Sequence, residues 1–115
     1  MVALIVLVLP LTRPKPNTRV TISPIIGFKP LYVTVRASID NPTEDWYCPE
    51  LTVTWSDGTQ AKRLSDCPTW DDEPDGYSYH ETVHGLLGAG DHNITALLVQ
   101  GKHSELFDLR VKVSE

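Results

Sequence analysis

Apolar and polar residues alternate with a period of two along much of this chain. The clearest run covers residues 31–39, in which every second side chain is apolar and the others are mainly polar. Such alternation predicts a β-strand with one face buried and one face exposed. Segments of similar character predict further strands at residues 19–22, 51–55, 60–64, 77–83, 93–99 and 106–113. A series of about seven short strands without a helical period is typical of an all-β sandwich.

Turn-forming residues separate the predicted strands. Residues 56–59, Ser-Asp-Gly-Thr, predict a hairpin turn, and residues 100–102 predict a short connection between the last two strands. Residues 27–30, Gly-Phe-Lys-Pro, predict a turn ahead of the longest strand. Beyond residue 83 we expect the chain to be interrupted by Gly85, Gly88 and Gly90.

The first 18 residues differ from the rest of the chain. An uncharged apolar run is followed by a proline-rich spacer, and the run is shorter than the about 20 residues of a transmembrane helix. Three interpretations stay open: a leader that is removed, a strand of the same domain, or a strand donated to a neighbouring copy in a filament. The possible partner strand comprises Val2, Leu4, Ile5, Val6, Leu7, Val8 and Leu9.

Composition and charge suit one folded domain. The chain has 115 residues, of which 41% are hydrophobic and 22% are charged, as is ordinary for a globular protein. Asp and Glu number 15 against 10 Lys and Arg, for a formal net charge of -5. This balance provides no basic footprint, so we expect neither nucleic acid nor an anionic membrane surface as a partner.

Cys48 and Cys67 are the two cysteines of the chain, and no Cys-x-x-Cys pair indicates a zinc or redox site. Two free buried thiols would suit a cytosolic protein, whereas a disulfide would suit an exported one. We predict the disulfide, because the rest of the chain has the character of an exported protein. The expected location is therefore extracellular, at the cell surface, or periplasmic.

Three segments carry a resemblance to a known family. Residues 23–31 contain Ser-Pro followed by Gly-Phe-Lys-Pro-Leu, residues 53–59 read Val-Thr-Trp-Ser-Asp-Gly-Thr, and residues 87–96 read Leu-Gly-Ala-Gly-Asp-His-Asn-Ile-Thr-Ala. Together they resemble PKD domains, which are immunoglobulin-like sandwiches of cell-surface and secreted proteins. The resemblance covers residues 19–115, which we take as the domain after an N-terminal segment at residues 1–18.

The resemblance implies an immunoglobulin-like, PKD-type β-sandwich and roles for several residues. Trp55 would be the core tryptophan, in a signature shared with Asp57, Gly58 and Gly90. His92 stands where the family usually has an aromatic residue. The two cysteines flank the Trp55 hairpin, so their bridge would close one edge of the sandwich, unlike the bridge of antibody domains.

His80-Glu81-x-x-His84 fits the pattern of a zinc metallopeptidase, in which two histidines hold the metal and a glutamate acts as general base. That chemistry requires a helix, because on a strand the two histidines would lie about 13 Å apart. The sequence predicts a strand here. We therefore expect no catalytic residues, no metal and no cofactor, and we keep zinc proteolysis as the alternative in which the chain is an enzyme.

Residues 71–75, Asp-Asp-Glu-Pro-Asp, could coordinate calcium through carboxylates. They lack the spacing of an EF-hand loop, and a solvated acidic loop is the alternative. Asn93-Ile-Thr95 is an acceptor sequence for N-glycosylation, on a predicted strand with Asn93 facing outward, and would be used only in a eukaryotic secretory pathway.

Three aromatic residues of predicted exposed loops, Trp46, Tyr47 and Trp70, lie close to the cysteines in the sequence. A disulfide would gather them near one end of the sandwich. There they could stack on a sugar or a protein, or they could form a lid over the core. The sequence thus predicts an exported, non-catalytic module that binds protein or carbohydrate at the cell surface, or binds further copies of itself.

Overall fold

The computed structural model describes residues 15–71 and 77–115. The possible partner strand at residues 2–9 and the acidic residues 72–75 lie outside these ranges. The strands found in the described residues are β1 (Asn17–Ser23), β2 (Ile26–Phe28), β3 (Leu31–Asp40), β4 (Glu50–Thr54), β5 (Gln60–Arg63), β6 (Tyr79–Leu87), β7 (Gly90–Gln100) and β8 (His103–Ser114). The all-β prediction is confirmed, and β1 begins two residues ahead of the expected domain start at residue 19.

The strands form a three-stranded sheet in the order β1-β3-β6 and a five-stranded sheet in the order β2-β8-β7-β4-β5. Neighbouring strands are antiparallel, except that β2 runs parallel to β8. The chain changes sheet between β1 and β2, between β2 and β3, between β3 and β4, and again on either side of β6. Strands that pair within a sheet are therefore often distant in the sequence.

One hydrophobic core lies between the two sheets, as the period-two alternation predicts. In β3 the inward residues are buried and the intervening residues are exposed or half-buried. The core comprises Ile22, Val33, Val35, Ala37, Ile39, Trp46, Leu51, Val53, Tyr79, Val83, Leu87, Ile94, Ala96, Leu98, Val111 and Val113. No charged side chain is buried among the described residues.

Trp46 follows the second of the two interpretations of the loop aromatics. It lies in the loop before β4, as predicted, but is 5% exposed and packs in the core, so it is not part of an exposed surface. A short bridge to Thr43 turns the loop back toward the sheets, and the indole Nε1 donates a hydrogen bond of 2.8 Å to the Thr18 hydroxyl. Trp55 is half-buried and packs against the core from the end of β4.

The expectation that Gly85 interrupts the chain was also wrong, because β6 continues through it to Leu87. A Cβ atom at this position would lie 2.5 Å from Cη2 of Trp55. The glycine therefore lets the indole ring lie directly on the strand backbone, a close approach for which strand glycines are used. The predicted turn at residues 27–30 likewise begins inside a strand, since Ile26–Phe28 forms β2.

Candidate functional site

A disulfide between Cys48 and Cys67 joins the loops at residues 41–49 and 64–71, and its Cα atoms are 6.3 Å apart. The bridge spans the β4–β5 hairpin, because one cysteine precedes β4 and the other follows β5. The two loops thus meet at one end of the molecule.

The amide side chain of Gln100, the last residue of β7, organises the first of these loops. Its Oε1 accepts hydrogen bonds of 2.8 Å from the backbone N–H groups of both Tyr47 and Cys48. Its Nε2 donates to the carbonyl of Glu44 at 3.0 Å. One side chain therefore satisfies three backbone groups that the irregular loop leaves without partners in a sheet.

The side chains of Tyr47, Trp70 and Tyr77 form an aromatic cluster beside the disulfide. Trp70 and Tyr77 stack with centroids 4.6 Å apart and planes inclined by 18°. Tyr47 meets Trp70 at 5.2 Å and Tyr77 at 5.0 Å, in both cases at a steep angle between the ring planes. Such edge and stacked contacts are the favoured geometries of aromatic pairs.

Both tyrosine hydroxyls of the aromatic cluster bond to the loop that carries Trp70. The Tyr77 hydroxyl donates to the carbonyl of Thr69 at 2.6 Å and accepts from the backbone N–H of Asp71 at 2.9 Å. The Tyr47 hydroxyl donates to the carbonyl of Pro68 at 3.1 Å. Desolvation is the main cause that raises the pKa of Tyr77.

A groove of about 360 Å³, here called the aromatic-end groove, opens beside the cluster. Tyr47 and Tyr77 contribute to its wall, and the polar groups that line it come from Ser65, Asp66, Ser78 and His80. Aromatic rings next to hydroxyl, carboxylate and imidazole groups can stack on a ligand and hydrogen-bond to it at the same time.

Tyr79 also lines this groove, although it is 3% exposed. Its hydroxyl is buried and has no hydrogen-bond partner among the residues that the structure describes. Burial is the larger cause that raises the pKa of this hydroxyl, and the charge of Glu81 adds to it.

The structure brings together only part of the aromatic set that the sequence predicts. Tyr47 and Trp70 meet at the disulfide end as expected, whereas Trp46 is buried in the core. Tyr77 completes the cluster and was missed, because its aromatic character was assigned to a strand that begins only at Tyr79. Its closeness in sequence to Cys67 was the available signal.

His80 and His84 lie on β6, so the zinc-binding pattern has the extended geometry that the sequence predicts. Glu81 alternates with them and belongs to the opposite face of the strand. Nδ1 of His84 is 2.9 Å from the hydroxyl of Thr34, and its ring stacks on Tyr32 at 5.3 Å. No group of three or more metal-binding side chains comes together in residues 15–71 and 77–115.

The Asp57–Gly58 turn after β4 has its own hydrogen bonds. The carboxylate of Asp57 accepts from the hydroxyl and the backbone N–H of Thr59 at 2.6 and 3.0 Å, which lowers the pKa of Asp57. Gly58 has φ +88°, and Gly90, at the start of β7, has φ +129°. Both values favour glycine, since side chains with a Cβ rarely adopt them.

His92 connects this turn to the β6–β7 connection. Its Nδ1 bonds to the hydroxyl of Ser56, and its Nε2 is 2.8 Å from the carbonyl oxygen of Gly88. Because a carbonyl can only accept, Nε2 carries a proton, and in the neutral ring Nδ1 then accepts from the serine hydroxyl. The imidazole thus ties the turn of the β4–β5 hairpin to the connection that joins the two sheets.

Two further sequence features fall wholly or partly within the described residues. Asn93 lies on the outer face of β7, opposite Arg110 of β8, with Thr95 of the same glycosylation sequence half-buried. Of the acidic loop, only Asp71 falls within the described residues, and its backbone N–H binds Tyr77.

Comparisons with protein-family models, with curated proteins and with solved structures found no match for this chain. The portions of the chain that the structure describes contain no helix of the length and apolarity needed to span a membrane.

Proposed function

We propose that this chain is an exported, immunoglobulin-like module of PKD type that binds a carbohydrate or protein at the cell surface. The strand arrangement supports this proposal, since an immunoglobulin-like sandwich packs two sheets of this kind with repeated crossings between them. The Asp57–Gly58 turn and the His92 bond to Gly88 occupy the positions that carry the resemblance to the family.

The disulfide supports export. Disulfides form and persist in oxidising environments and are rare in the reducing cytosol. Here the Cys48–Cys67 bridge fixes the loop from which Trp70 projects. The module therefore depends on an extracellular or periplasmic setting for the shape of its binding end.

The observation that carries the proposal is the aromatic cluster, which is held in place by bonds that do not involve a ligand. Two tyrosine hydroxyls, the disulfide and Gln100 all restrain the loops that carry Tyr47, Trp70 and Tyr77. A preorganised surface loses little conformational freedom on binding, and tyrosine and tryptophan are the residues that most often dominate binding energy.

Binding of the fluorescently labelled domain to intact cells of the source organism, measured by flow cytometry, tests the proposal. We expect Trp70→Ala to weaken binding by about tenfold or more, as is typical for an aromatic residue at the centre of a binding surface. Phe28→Ala is the matched control, because Phe28 is 73% exposed and lies on β2, in the other part of the molecule.

The melting temperature of each variant shows whether it is folded. Tyr47→Phe provides a second test that removes one hydroxyl and keeps all three rings, and it should retain most of the binding. The proposal is wrong if the domain does not bind to the cells, or if Phe28→Ala weakens binding as much as Trp70→Ala does.

A further inference from the structure

The exposed side of the three-stranded sheet, here called the outer face, has three successive rows of side chains with no acidic residue. Each row crosses β1, β3 and β6 in register. The rows are Arg19–Ser38–His80, Thr21–Arg36–Thr82 and Ser23–Thr34–His84. Two guanidinium groups and two imidazoles are thus surrounded by hydroxyl groups.

Two acidic residues lie near these rows. Asp40 sits in the next row and binds Arg19 at 2.8 Å. Glu81 lies between His80 and Thr82 on β6, where strand alternation directs it to the other face, although it still lines the groove beside these rows. The guanidinium of Arg36, at the centre of the middle row, forms no ion pair within the described part of the chain. The three rows thus contain basic side chains and no acidic one, in contrast with the formal net charge of -5 of the whole chain.

A groove of about 380 Å³ runs over the outer face between Arg19, Arg36 and His80, and Glu81 also contributes to its lining. Cross-strand neighbours in a sheet are about 5 Å apart, and alternate residues of one strand are about 7 Å apart. Hydroxyl, guanidinium and imidazole donors therefore repeat along the groove at short intervals. These groups hydrogen-bond to sulfate, phosphate and carboxylate oxygens.

His84, in the third row, provides a further donor on the outer face. Its ring stacks on Tyr32, and its Nδ1 is held by the Thr34 hydroxyl. If the hydroxyl donates this bond, the proton of the neutral ring lies on Nε2, at the side of the ring away from Thr34. The imidazole orientation is thus fixed by neighbouring side chains before any ligand arrives.

We propose that the outer face binds a linear polysaccharide that carries sulfate or carboxylate groups. His80 lines both the groove of the outer face and the aromatic-end groove, so the two grooves adjoin at this residue. The guanidinium, imidazole and hydroxyl donors that repeat across the outer face fit an extended chain of acidic sugars. This inference rests on the proposed export of the module, and it does not rest on the aromatic cluster.

Two properties distinguish the outer face from a surface for nucleic acid. Nucleic-acid binding neutralises many phosphates with lysine and arginine, whereas the three rows contain only two permanently charged side chains. Five of their nine positions are serine or threonine, which suit the hydroxyl and ring oxygens of a sugar chain between its anionic groups.

Titration calorimetry of the folded domain with heparin, with polygalacturonate and with neutral dextran tests the inference, at 50 and 150 mM NaCl. We expect heparin or polygalacturonate to bind and dextran to bind much more weakly. Arg36→Gln should weaken the binding of the anionic polymer about fivefold or more. The slope of log affinity against log salt concentration should become shallower by about the amount that one ionic contact contributes.

Arg110→Gln is the matched control, since Arg110 lies on β8, on the outer face of the other sheet, two residues from Asp108. It should leave the affinity within about twofold. The inference is overturned if neither anionic polymer binds, if Arg110→Gln weakens binding as much as Arg36→Gln, or if a DNA oligonucleotide of similar charge binds as tightly as heparin.

The variants also separate this inference from the proposed function. Trp70→Ala should reduce binding to cells while retaining the response of heparin binding to Arg36→Gln. If cell binding is absent and an anionic polymer still binds through Arg36, the outer face stands and the proposed role of the aromatic cluster falls. If cell binding is sensitive to Trp70 and no anionic polymer binds, the proposed role of the aromatic cluster stands and the inference about the outer face is wrong.

Discussion

Tyr79, the first residue of β6, is buried in the core with a hydroxyl that has no hydrogen-bond partner among the described residues. In the unfolded chain this hydroxyl bonds to water, and folding removes those bonds while no residue in 15–71 or 77–115 replaces them. A buried polar group without a partner costs about 1–3 kcal/mol. Tyr79→Phe removes the hydroxyl and keeps the ring, which should raise the free energy of unfolding by about 1 kcal/mol or more.

Thermal and denaturant unfolding measure this change. For a domain of this size, about 1 kcal/mol corresponds to a rise of roughly 4–8 °C in melting temperature. Tyr77→Phe is the matched control with the opposite sign. Its hydroxyl bonds to both Thr69 and Asp71, so its removal should lower the melting temperature.

Alkaline pH provides a second measurement of the same group. Burial raises the pKa of Tyr79 in the folded state, whereas an unfolded tyrosine titrates near pH 10. Above about pH 10 the unfolded chain loses this proton and the folded chain retains it, so the stability falls by about 1.4 kcal/mol per pH unit. Phenylalanine has no such proton, so the stability of the Tyr79→Phe variant should fall less steeply there.

The reasoning about Tyr79 is refuted if Tyr79→Phe lowers the free energy of unfolding by 1 kcal/mol or more at pH 7, a threshold set by the typical value of one made hydrogen bond. Such a loss would mean that the hydroxyl makes a stabilising bond. An unchanged alkaline slope would show that Tyr79 titrates equally in the folded and unfolded chains.

Three further predictions concern the backbone and the turns. Gly85→Ala places a methyl group against the ring of Trp55 and should lower the free energy of unfolding, measured with denaturant, by about 1–3 kcal/mol. Gly88→Ala is the control and should be nearly neutral, because nothing lies within 4 Å of the added carbon. Equal losses in the two variants would contradict the packing argument. Gln100→Ala leaves two loop N–H groups without their acceptor and should lower the free energy of unfolding by about 1–3 kcal/mol. An unchanged denaturant midpoint would show that the loop does not need the Gln100 amide. The Thr59 hydroxyl lowers the pKa of Asp57 in the folded state, so Asp57 stabilises the fold above its unfolded pKa and this contribution is lost as the pH falls through the folded pKa. Asp57→Asn should therefore make the free energy of unfolding depend less on pH between about pH 5 and pH 2. If the variant and the original chain lose stability in parallel over this range, the assignment to Asp57 is wrong.

The candidate sites were only partly readable from the sequence. The cysteines and their neighbouring aromatic residues indicated one end of the molecule, and Tyr47 and Trp70 do meet there. Trp46 has the same local signals, yet its ring enters the core. The direction of a loop side chain depends on where the loop crosses the sheets, and a local pattern carries no information about that crossing.

The sequence by itself determined the all-β class, most strand positions and the buried faces, because period-two alternation directs successive side chains to opposite sides of a strand. It also indicated the cysteine pair and the turn at Asp57 and Gly58. Only the tertiary structure decided which distant strands pair and in what register. That register brings Arg19, Arg36 and His80 to one face of an acidic chain. Strand pairing is set by packing of the two sheets over a shared core, and that packing depends on contacts between residues far apart in the sequence.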